Sequence, residues 1–78
     1  MVNAYSLVST EPGETSKVYE KIGKLKGVKS VEAVAGPYDL IARIEVDSLE
    51  ELTRTLFANI RGISGVMNTT TLIVIEIK

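Results

Sequence analysis

The sequence predicts an α+β domain with the element order β-α-β-β-α-β. This is the ferredoxin-like sandwich, a four-stranded antiparallel sheet with two helices on one face. Two observations predict this fold. Segments dense in β-forming residues alternate with segments whose apolar residues recur three and four positions apart. In addition, residues 25–31 and 60–66 share one pattern of aliphatic and glycine positions at an offset of 35, which indicates two similar β-α-β halves.

The first strand and the first helix are predicted from two different periodicities. Residues 2–8 alternate in a period of two with apolar residues on both sides, and the segment 9–13, which contains Pro12-Gly13, ends this strand. From about Glu14 to Leu25, the spacing is typical of a helix that packs one face on a core. The residues on that face are Val18, Ile22 and Leu25, with Tyr19 beside them. Gly27 is the expected C-cap.

The middle of the chain is predicted to form a hairpin. Residues 28–35 and 40–46 have the composition of strands, and Gly36-Pro37-Tyr38-Asp39 lies between them. Glycine reaches positive φ and proline fixes φ, so this pair marks a turn. The turn therefore places an aromatic ring and a carboxylate side by side at one end of the sheet. Surface turns also carry aspartate for purely local reasons, which is the simpler interpretation of Asp39.

The second helix has the clearest start signal. Ser48-Leu49-Glu50-Glu51 matches the capping box, in which serine and glutamate satisfy free backbone donors, and Asp47 is the alternative cap. A stripe spaced three and four residues apart is expected to face the core, and it consists of Leu49, Leu52, Leu56 and Ile60. Gly62 is expected to end this helix. Residues 68–77 are dense in β-branched residues and are predicted to form the last strand.

Composition excludes several classes of function. The length of 78 residues suits one domain over residues 1–78, and the absence of cysteine and histidine removes disulfides, thiolate metal sites and the commonest general base. Nine Lys and Arg against ten Asp and Glu are scattered, so no direct nucleic-acid binding is expected. Neither a signal peptide nor a membrane-spanning run is visible, so we expect a cytoplasmic protein without membrane contact. We predict no catalytic residues, no metal site and no cofactor.

Apolar residues on both sides of the strands indicate that the chain associates with itself. Whichever face the helices cover, the other keeps several large apolar side chains, and such a patch usually marks an interface. The first strand offers Tyr5 and Leu7 and the third offers Ile41, while the last strand offers Ile73, Ile75 and Ile77 on one side and Leu72 and Val74 on the other. Covering four or five of these side chains with a second copy would stabilise the assembly by on the order of 6–10 kcal/mol as an upper bound. That energy is comparable with the whole free energy of unfolding expected of so small a domain. We therefore expect a homodimer that packs two sheets face to face, with further symmetric assembly.

Polar side chains are expected to gather at one end of the sheet. Asp39 begins the third strand and Thr69-Thr70-Thr71 begins the fourth, and both strands run antiparallel to the first. A carboxylate there can pair with an ammonium group, and hydroxyls and turn N–H groups can bind a carboxylate. With apolar side chains nearby, this combination suits a free amino acid. The threonines also fit a strand through β-propensity alone.

Four pieces of the sequence together resemble the effector-binding (RAM) domain of Lrp/AsnC transcription regulators. They are Gly36-Pro37-Tyr38-Asp39-Leu40, the leucine-rich helix, the join Ile60-Arg61-Gly62-Ile63-Ser64-Gly65-Val66 and Thr69-Thr70-Thr71. The resemblance covers essentially the whole chain. It implies dimers that form through the sheets and commonly assemble into octamers or similar rings, with amino acids or related metabolites bound between dimers.

Carried onto this sequence, the resemblance implies a set of ligand-binding residues. Asp39 would bind the ligand amine, the turn backbone with Thr69 or Thr71 would supply polar contacts, and Val31 or Tyr38 would line the pocket. The implied set is Gly36, Tyr38, Asp39, Thr69, Thr71 and Val31. Full regulators of this family carry an N-terminal helix-turn-helix domain, whereas the first strand here begins at residue 2. The resemblance therefore implies a stand-alone form that would act on transcription through assembly with full-length relatives.

Alternative functions differ in where they place the site. An ACT-type regulatory module shares the fold and the ligand class but would bind its ligand near Gly13 after the first strand. A purely structural oligomeriser would be unaffected by Asp39→Ala. An enzyme would need an activating pair around Asp39, Tyr38 or Tyr5, and none is visible. A metal carrier would need cysteines after the first strand, where Ser9-Thr10-Glu11 stands.

Overall fold

The computed structural model describes residues 1–77 and has the predicted architecture. In chain order its elements are β1 (Val2–Thr10), α1 (Thr15–Gly23), β2 (Val28–Ala33), β3 (Leu40–Val46), α2 (Leu49–Thr53), a π-helical segment (Arg54–Ile60) and β4 (Val66–Ile73). The strands form one four-stranded sheet in the order β2-β3-β1-β4, with every neighbouring pair antiparallel. The prediction of a β-α-β-β-α-β sandwich is confirmed. No helix among residues 1–77 is long and apolar enough to cross a membrane.

The core lies between the two helices and one face of the sheet. Along the two central strands, β1 and β3, buried residues alternate with more exposed ones. This is expected when helices cover only one face of a sheet, because successive side chains of a strand point to opposite faces. The buried apolar residues are Ala4, Val8, Val18, Ile22, Leu40, Ala42, Ile44, Val46, Leu52, Leu56 and Ile60. Leu25 packs at the margin of this core, and Tyr19 is exposed. The helices thus cover the face that contains Ala4 and Val8. The opposite face of the sheet, called the open face below, is covered by no helix of the described residues.

Strand ends differ from the predicted ends because pairing partners decide them. β1 runs to Thr10 rather than to residue 8, since Thr10 still pairs with Val66 of β4 across an irregularity. β4 correspondingly begins at Val66 rather than at residue 68. It ends at Ile73 instead of residue 77 because Ile73 pairs with Ala4, near the start of β1. Beyond Ile73, the Val74 N–H donates to the Asn3 carbonyl at 2.9 Å.

The hairpin and the first helix also end earlier than predicted. β2 stops at Ala33, the partner of Leu40, because the chain then turns back through residues 34–39. α1 ends at Gly23, and a short turn follows to Gly27, whose φ of +92° is the left-handed conformation expected for a terminating glycine. A side chain at Gly27 would place its Cβ 2.9 Å from Val46 Cγ1, so both conformation and space require glycine.

The start of α2 confirms the predicted Ser48 cap but not the full core stripe. Ser48 Oγ accepts a hydrogen bond from the Glu51 N–H at 3.1 Å. Leu52, Leu56 and Ile60 are buried, whereas Leu49 is 61% exposed, so the prediction that Leu49 faces the core is wrong. Leu49 is the first helical residue, and side chains of a helix tilt toward its N-terminus. The side chain of Leu49 therefore projects beyond the end of the core.

Candidate functional site

The starts of β3 and β4 lie at the same end of the sheet, as the sequence predicted. Leu40 and Thr69 both pair with Val8 of β1, one on each side. Neighbouring strands are about 5 Å apart, so the two starts are separated by roughly 10 Å. Tyr38 precedes β3 at this end, and Thr70 belongs to β4. The end of the sheet is therefore a place where side chains from the turn can reach β4 by crossing β1.

The turn between β2 and β3 is held at both of its ends. The Val34 N–H donates to the Asp39 carbonyl at 2.9 Å, and the Asp39 N–H donates to the Val8 carbonyl at 2.9 Å. Within the turn, Gly36 has a φ of +152°, a conformation that other residues rarely adopt. Residues 35–38 lie beside Leu7 and Ile41 of the open face.

A small pocket, called the turn pocket below, lies between this turn and the open face. Its volume is about 210 Å³. Its lining is mainly apolar and includes Leu7, Val34, Gly36, Pro37, Tyr38 and Ile41. Two of the predicted site residues, Gly36 and Tyr38, thus line one pocket together. The pocket can receive an apolar side chain of modest size.

A hydroxyl pair connects the turn with β4. The Tyr38 hydroxyl and Thr70 Oγ1 share a hydrogen bond of 2.8 Å. Thr70 pairs with Leu7, which lines the turn pocket, so Thr70 is on the open face. Sequence reasoning missed Thr70 in favour of its neighbours. Thr70 is two residues before Leu72, so the two side chains lie on the same face of β4. This period-two spacing was the signal that could have identified Thr70.

Three of the predicted site residues lie on the helix-covered face. Thr69 pairs with Val8 and Thr71 with Ser6, and both of these partners are buried beneath the helices. Val31 pairs with Ala42 and lines a separate hollow of about 200 Å³ along α1. Within one copy of the chain, the sheet therefore separates Thr69, Thr71 and Val31 from Tyr38.

Asp39 is occupied by contacts within its own chain. Its Oδ2 accepts hydrogen bonds from the Thr10 N–H at 2.8 Å and from Thr10 Oγ1 at 3.2 Å. Thr10 Oγ1 also lies 2.7 Å from Thr15 Oγ1, at the start of α1. The carboxylate thus ties the beginning of β3 to the end of β1 and, through Thr10, to the first helix. It is half-buried, and one of its two oxygens carries both bonds.

The chemistry available here is hydrogen bonding and apolar contact. Among residues 1–77, no three histidine, cysteine or acidic side chains gather closely enough to hold a metal ion. The turn pocket supplies apolar walls, the hydroxyl pair supplies a donor and an acceptor, and Asp39 supplies a negative charge close to the turn. Asp39 does not line the turn pocket itself, because its carboxylate is directed to Thr10 and through Thr10 to α1.

The open face continues from the turn pocket along β1 and β4. Strand pairing places Tyr5 opposite Leu72, and Leu7 opposite both Ile41 and Thr70. Tyr5 is 37% exposed and Leu72 is 50% exposed in a single copy. Beyond the sheet, Val74, Ile75 and Ile77 are also exposed. Apolar side chains therefore recur on this face from the pocket to the C-terminal end of β4, with polar Thr70 and Arg43 among them.

Comparison with known proteins identifies one family. The model of the Lrp/AsnC ligand binding domain matches residues 3–78. An uncharacterised HTH-type transcriptional regulator of Pyrococcus abyssi is 34% identical over 73 residues, which are 90% of this chain and 49% of the regulator. The chain thus spans about half the length of the regulators that it matches. A homocitrate synthase of Sulfurisphaera tokodaii is 32% identical over 62 residues, 80% of this chain but 13% of that enzyme.

Solved structures show the same fold. The crystal structure of TTHA0845 from Thermus thermophilus superposes with a TM-score of 0.95 at 31% identity, covering 100% of this chain and 98% of that one. A complex of the transcriptional regulator NMB0573 from Neisseria meningitidis with L-Met superposes with a TM-score of 0.86. It is 16% identical and covers 96% of this chain and 50% of the regulator, so this likeness concerns the fold.

Proposed function

Because the chain belongs to the Lrp/AsnC ligand-binding domain family, we propose that it binds a free amino acid or a related small metabolite at contacts between its own copies, as a module of transcription regulation. The observation that carries the proposal is the continuity of the turn pocket with the uncovered apolar face. One surface of the chain is suited both to self-association and to ligand binding. The proposal includes neither catalysis nor direct DNA contact.

The first part of the proposal is a homodimer formed through the open face. Tyr5, Leu72 and Val74 each leave more than a third of their surface uncovered in a single copy. Burying such side chains contributes about 1.5–3 kcal/mol each, which for a domain of this size is a large share of the total stability. A two-fold axis allows both copies to use the same face, and dimers of this kind can assemble further into an octamer or a similar ring.

The second part concerns the ligand. Its apolar side chain would enter the turn pocket against Leu7 and Ile41, and its carboxylate would meet the Tyr38 hydroxyl and the turn N–H groups beside Gly36. Asp39 would attract the ammonium group, because a carboxylate half-buried near the turn favours a cation. The binding of L-Met by a regulator of the same fold supports the ligand class.

The remaining predicted residues enter the proposal through assembly. Thr69, Thr71 and Val31 face away from the turn pocket of their own copy. They would contribute to a ligand site only where a neighbouring copy brings its helix-covered side to the turn. Ligand binding between copies is thereby coupled to the size of the assembly. We propose that this coupling reaches transcription through mixed assembly with full-length Lrp/AsnC regulators in the cytoplasm.

A thermal-shift panel of the twenty amino acids tests the ligand proposal. A ligand present at 100 times its dissociation constant is expected to raise the free energy of unfolding by about 2.7 kcal/mol. Tyr38→Phe is expected to weaken that ligand about tenfold, because one hydrogen bond to a charged group is lost. The hydroxyl pair is exposed, so the unliganded variant should keep its melting temperature within a few degrees.

Thr53→Ala is the control, because it also removes an exposed hydroxyl, but on α2 and away from both the turn pocket and Val31. It should bind the ligand as the unaltered chain does. A panel in which none of the twenty amino acids shifts the melting temperature contradicts the ligand class. If Tyr38→Phe and Thr53→Ala affect the ligand equally, the turn pocket is not where it binds.

A further inference from the structure

Among residues 1–77, strand pairing places one cation, Arg43, on the open face together with acidic groups. Arg43 lies near its centre, opposite Tyr5 of β1 on one side and Ser30 of β2 on the other. Glu32 pairs with Ile41, and Glu45 pairs with Asn3, so both carboxylates share this face. Among residues 1–77, strand pairing assigns no other lysine or arginine to this face, while Lys29 stands unpaired at the irregularity of β2 and lines a hollow with Glu45. Arg43 is therefore the cation at the centre of this face, with Glu32 and Glu45 on the neighbouring pairs.

A fourth charged residue follows the same alternation beyond the sheet. Glu76 is two residues past Val74 and four past Leu72 in the sequence, in the segment that follows β4. It is exposed in a single copy. The acidic groups available to a facing copy are thus Glu32, Glu45 and Glu76.

Within the described part of its own chain, Arg43 has no ionic partner. The ion pair found among residues 1–77 joins Lys17 to Glu14 at 3.5 Å, and the guanidinium of Arg43 takes part in none. Arg43 is exposed in a single copy, where water solvates it. Covering the open face removes that water, and an unpaired buried charge is strongly unfavourable. Covering this face with a second copy therefore favours an arrangement in which a carboxylate of that copy reaches Arg43.

We propose that Arg43 selects a second copy of the same chain by forming an ion pair with an open-face carboxylate of that copy. A two-fold interface makes each contact twice, so one such residue per chain supplies two ion pairs. The planar guanidinium suits a carboxylate through two parallel hydrogen bonds, which also fixes the relative orientation of the sheets. This inference rests on the proposed face-to-face dimer and adds the residue that determines its partner and register.

Charge reversal at Arg43 tests the inference. Arg43→Glu is expected to raise the dimer dissociation constant about 30-fold or more in sedimentation equilibrium, because two attractive pairs become repulsive. Arg61→Glu reverses the charge of an exposed arginine on the far side of the molecule, where it lies over Phe57. That control should dimerise like the unaltered chain.

Mixing experiments identify the acidic partner. Arg43→Glu is combined in turn with chains carrying Glu32→Arg, Glu45→Arg or Glu76→Arg. In the correct combination both symmetry-related pairs again join opposite charges, so a heterodimer forms although each variant alone associates poorly. Restored association with one of the three supports the inference and names the residue.

Two results separate this inference from the proposed function. If the unaltered chain is a folded monomer, the proposed dimer itself fails. If the unaltered chain dimerises and Arg43→Glu dimerises equally well, or if none of the three acidic variants restores association, the dimer stands and the role of Arg43 is overturned.

Discussion

Replacing Leu72 by glutamate is expected to convert the protein into a monomer. Leu72 lies on the open face opposite Tyr5 and is 50% exposed in a single copy, so the isolated chain can accept a charge there at little cost. In a dimer the new carboxylate would be buried without a partner, which is unfavourable by about 3 kcal/mol or more. The dissociation constant should therefore rise at least about a hundredfold. Sedimentation equilibrium at micromolar protein measures this directly.

Leu49→Glu is the matched control for this substitution. Leu49 is also a leucine that is largely exposed in a single copy, but it lies at the start of α2 on the helix side. It should leave the dimer intact. Because dissociation precedes unfolding of an associated chain, the melting temperature of the unaltered protein and of Leu49→Glu should rise with protein concentration, whereas that of Leu72→Glu should not. Equal association of both variants would mean that another surface carries the dimer.

Replacing Asp39 by alanine is expected to affect stability and ligand binding together. The carboxylate holds both the N–H and the hydroxyl of Thr10, and hydrogen bonds to charged groups contribute about 1.5–3 kcal/mol each when buried. These bonds are only partly buried, so we expect a loss of about 2 kcal/mol in the free energy of unfolding. Urea denaturation measures that loss, and the amino-acid panel measures the expected loss of ligand binding.

Asp39→Asn separates the two roles of this side chain. The amide keeps an oxygen that can accept from Thr10, so most of the fold stability should return, but the negative charge is gone. A ligand whose ammonium group is held by Asp39 should remain weakly bound in this variant. Full recovery of ligand affinity in Asp39→Asn would show that Asp39 only positions the turn and that the ammonium group is bound elsewhere.

Periodicity in the sequence correctly predicted the features that the spacing of nearby residues determines. The order of the elements follows from alternating period-two and three-four spacing, and Val18, Ile22, Leu52, Leu56 and Ile60 occupy the core as expected. The capping box placed the start of α2 at the correct residue because its hydrogen bond spans three positions. The π-helical segment at Arg54–Ile60 was not predicted, since leucines three and four apart favour an ordinary α-helix.

The candidate site was harder to predict, because it is formed by contacts between residues that are far apart in the sequence. Asp39 and Thr10 are 29 positions apart, and Tyr38 and Thr70 are 32 apart, so no local pattern links them. The choice between Thr70 and its neighbours depends on the register of β4, because a shift by one residue exchanges the two faces of a strand. The end of β1 and the start of β4 could not be predicted separately either, because Thr10 and Val66 pair with each other.

The chain lacks cysteine, which allows single thiols to report which face is covered. Leu72→Cys and Leu49→Cys place a thiol on the open face and on the helix side, at sites of similar exposure in one copy. With a charged maleimide at micromolar protein, we expect the thiol at position 72 to react at least about tenfold more slowly than the thiol at position 49. Equal reaction rates would mean that water reaches the sheet surface which we assign to the second copy, and would contradict the account.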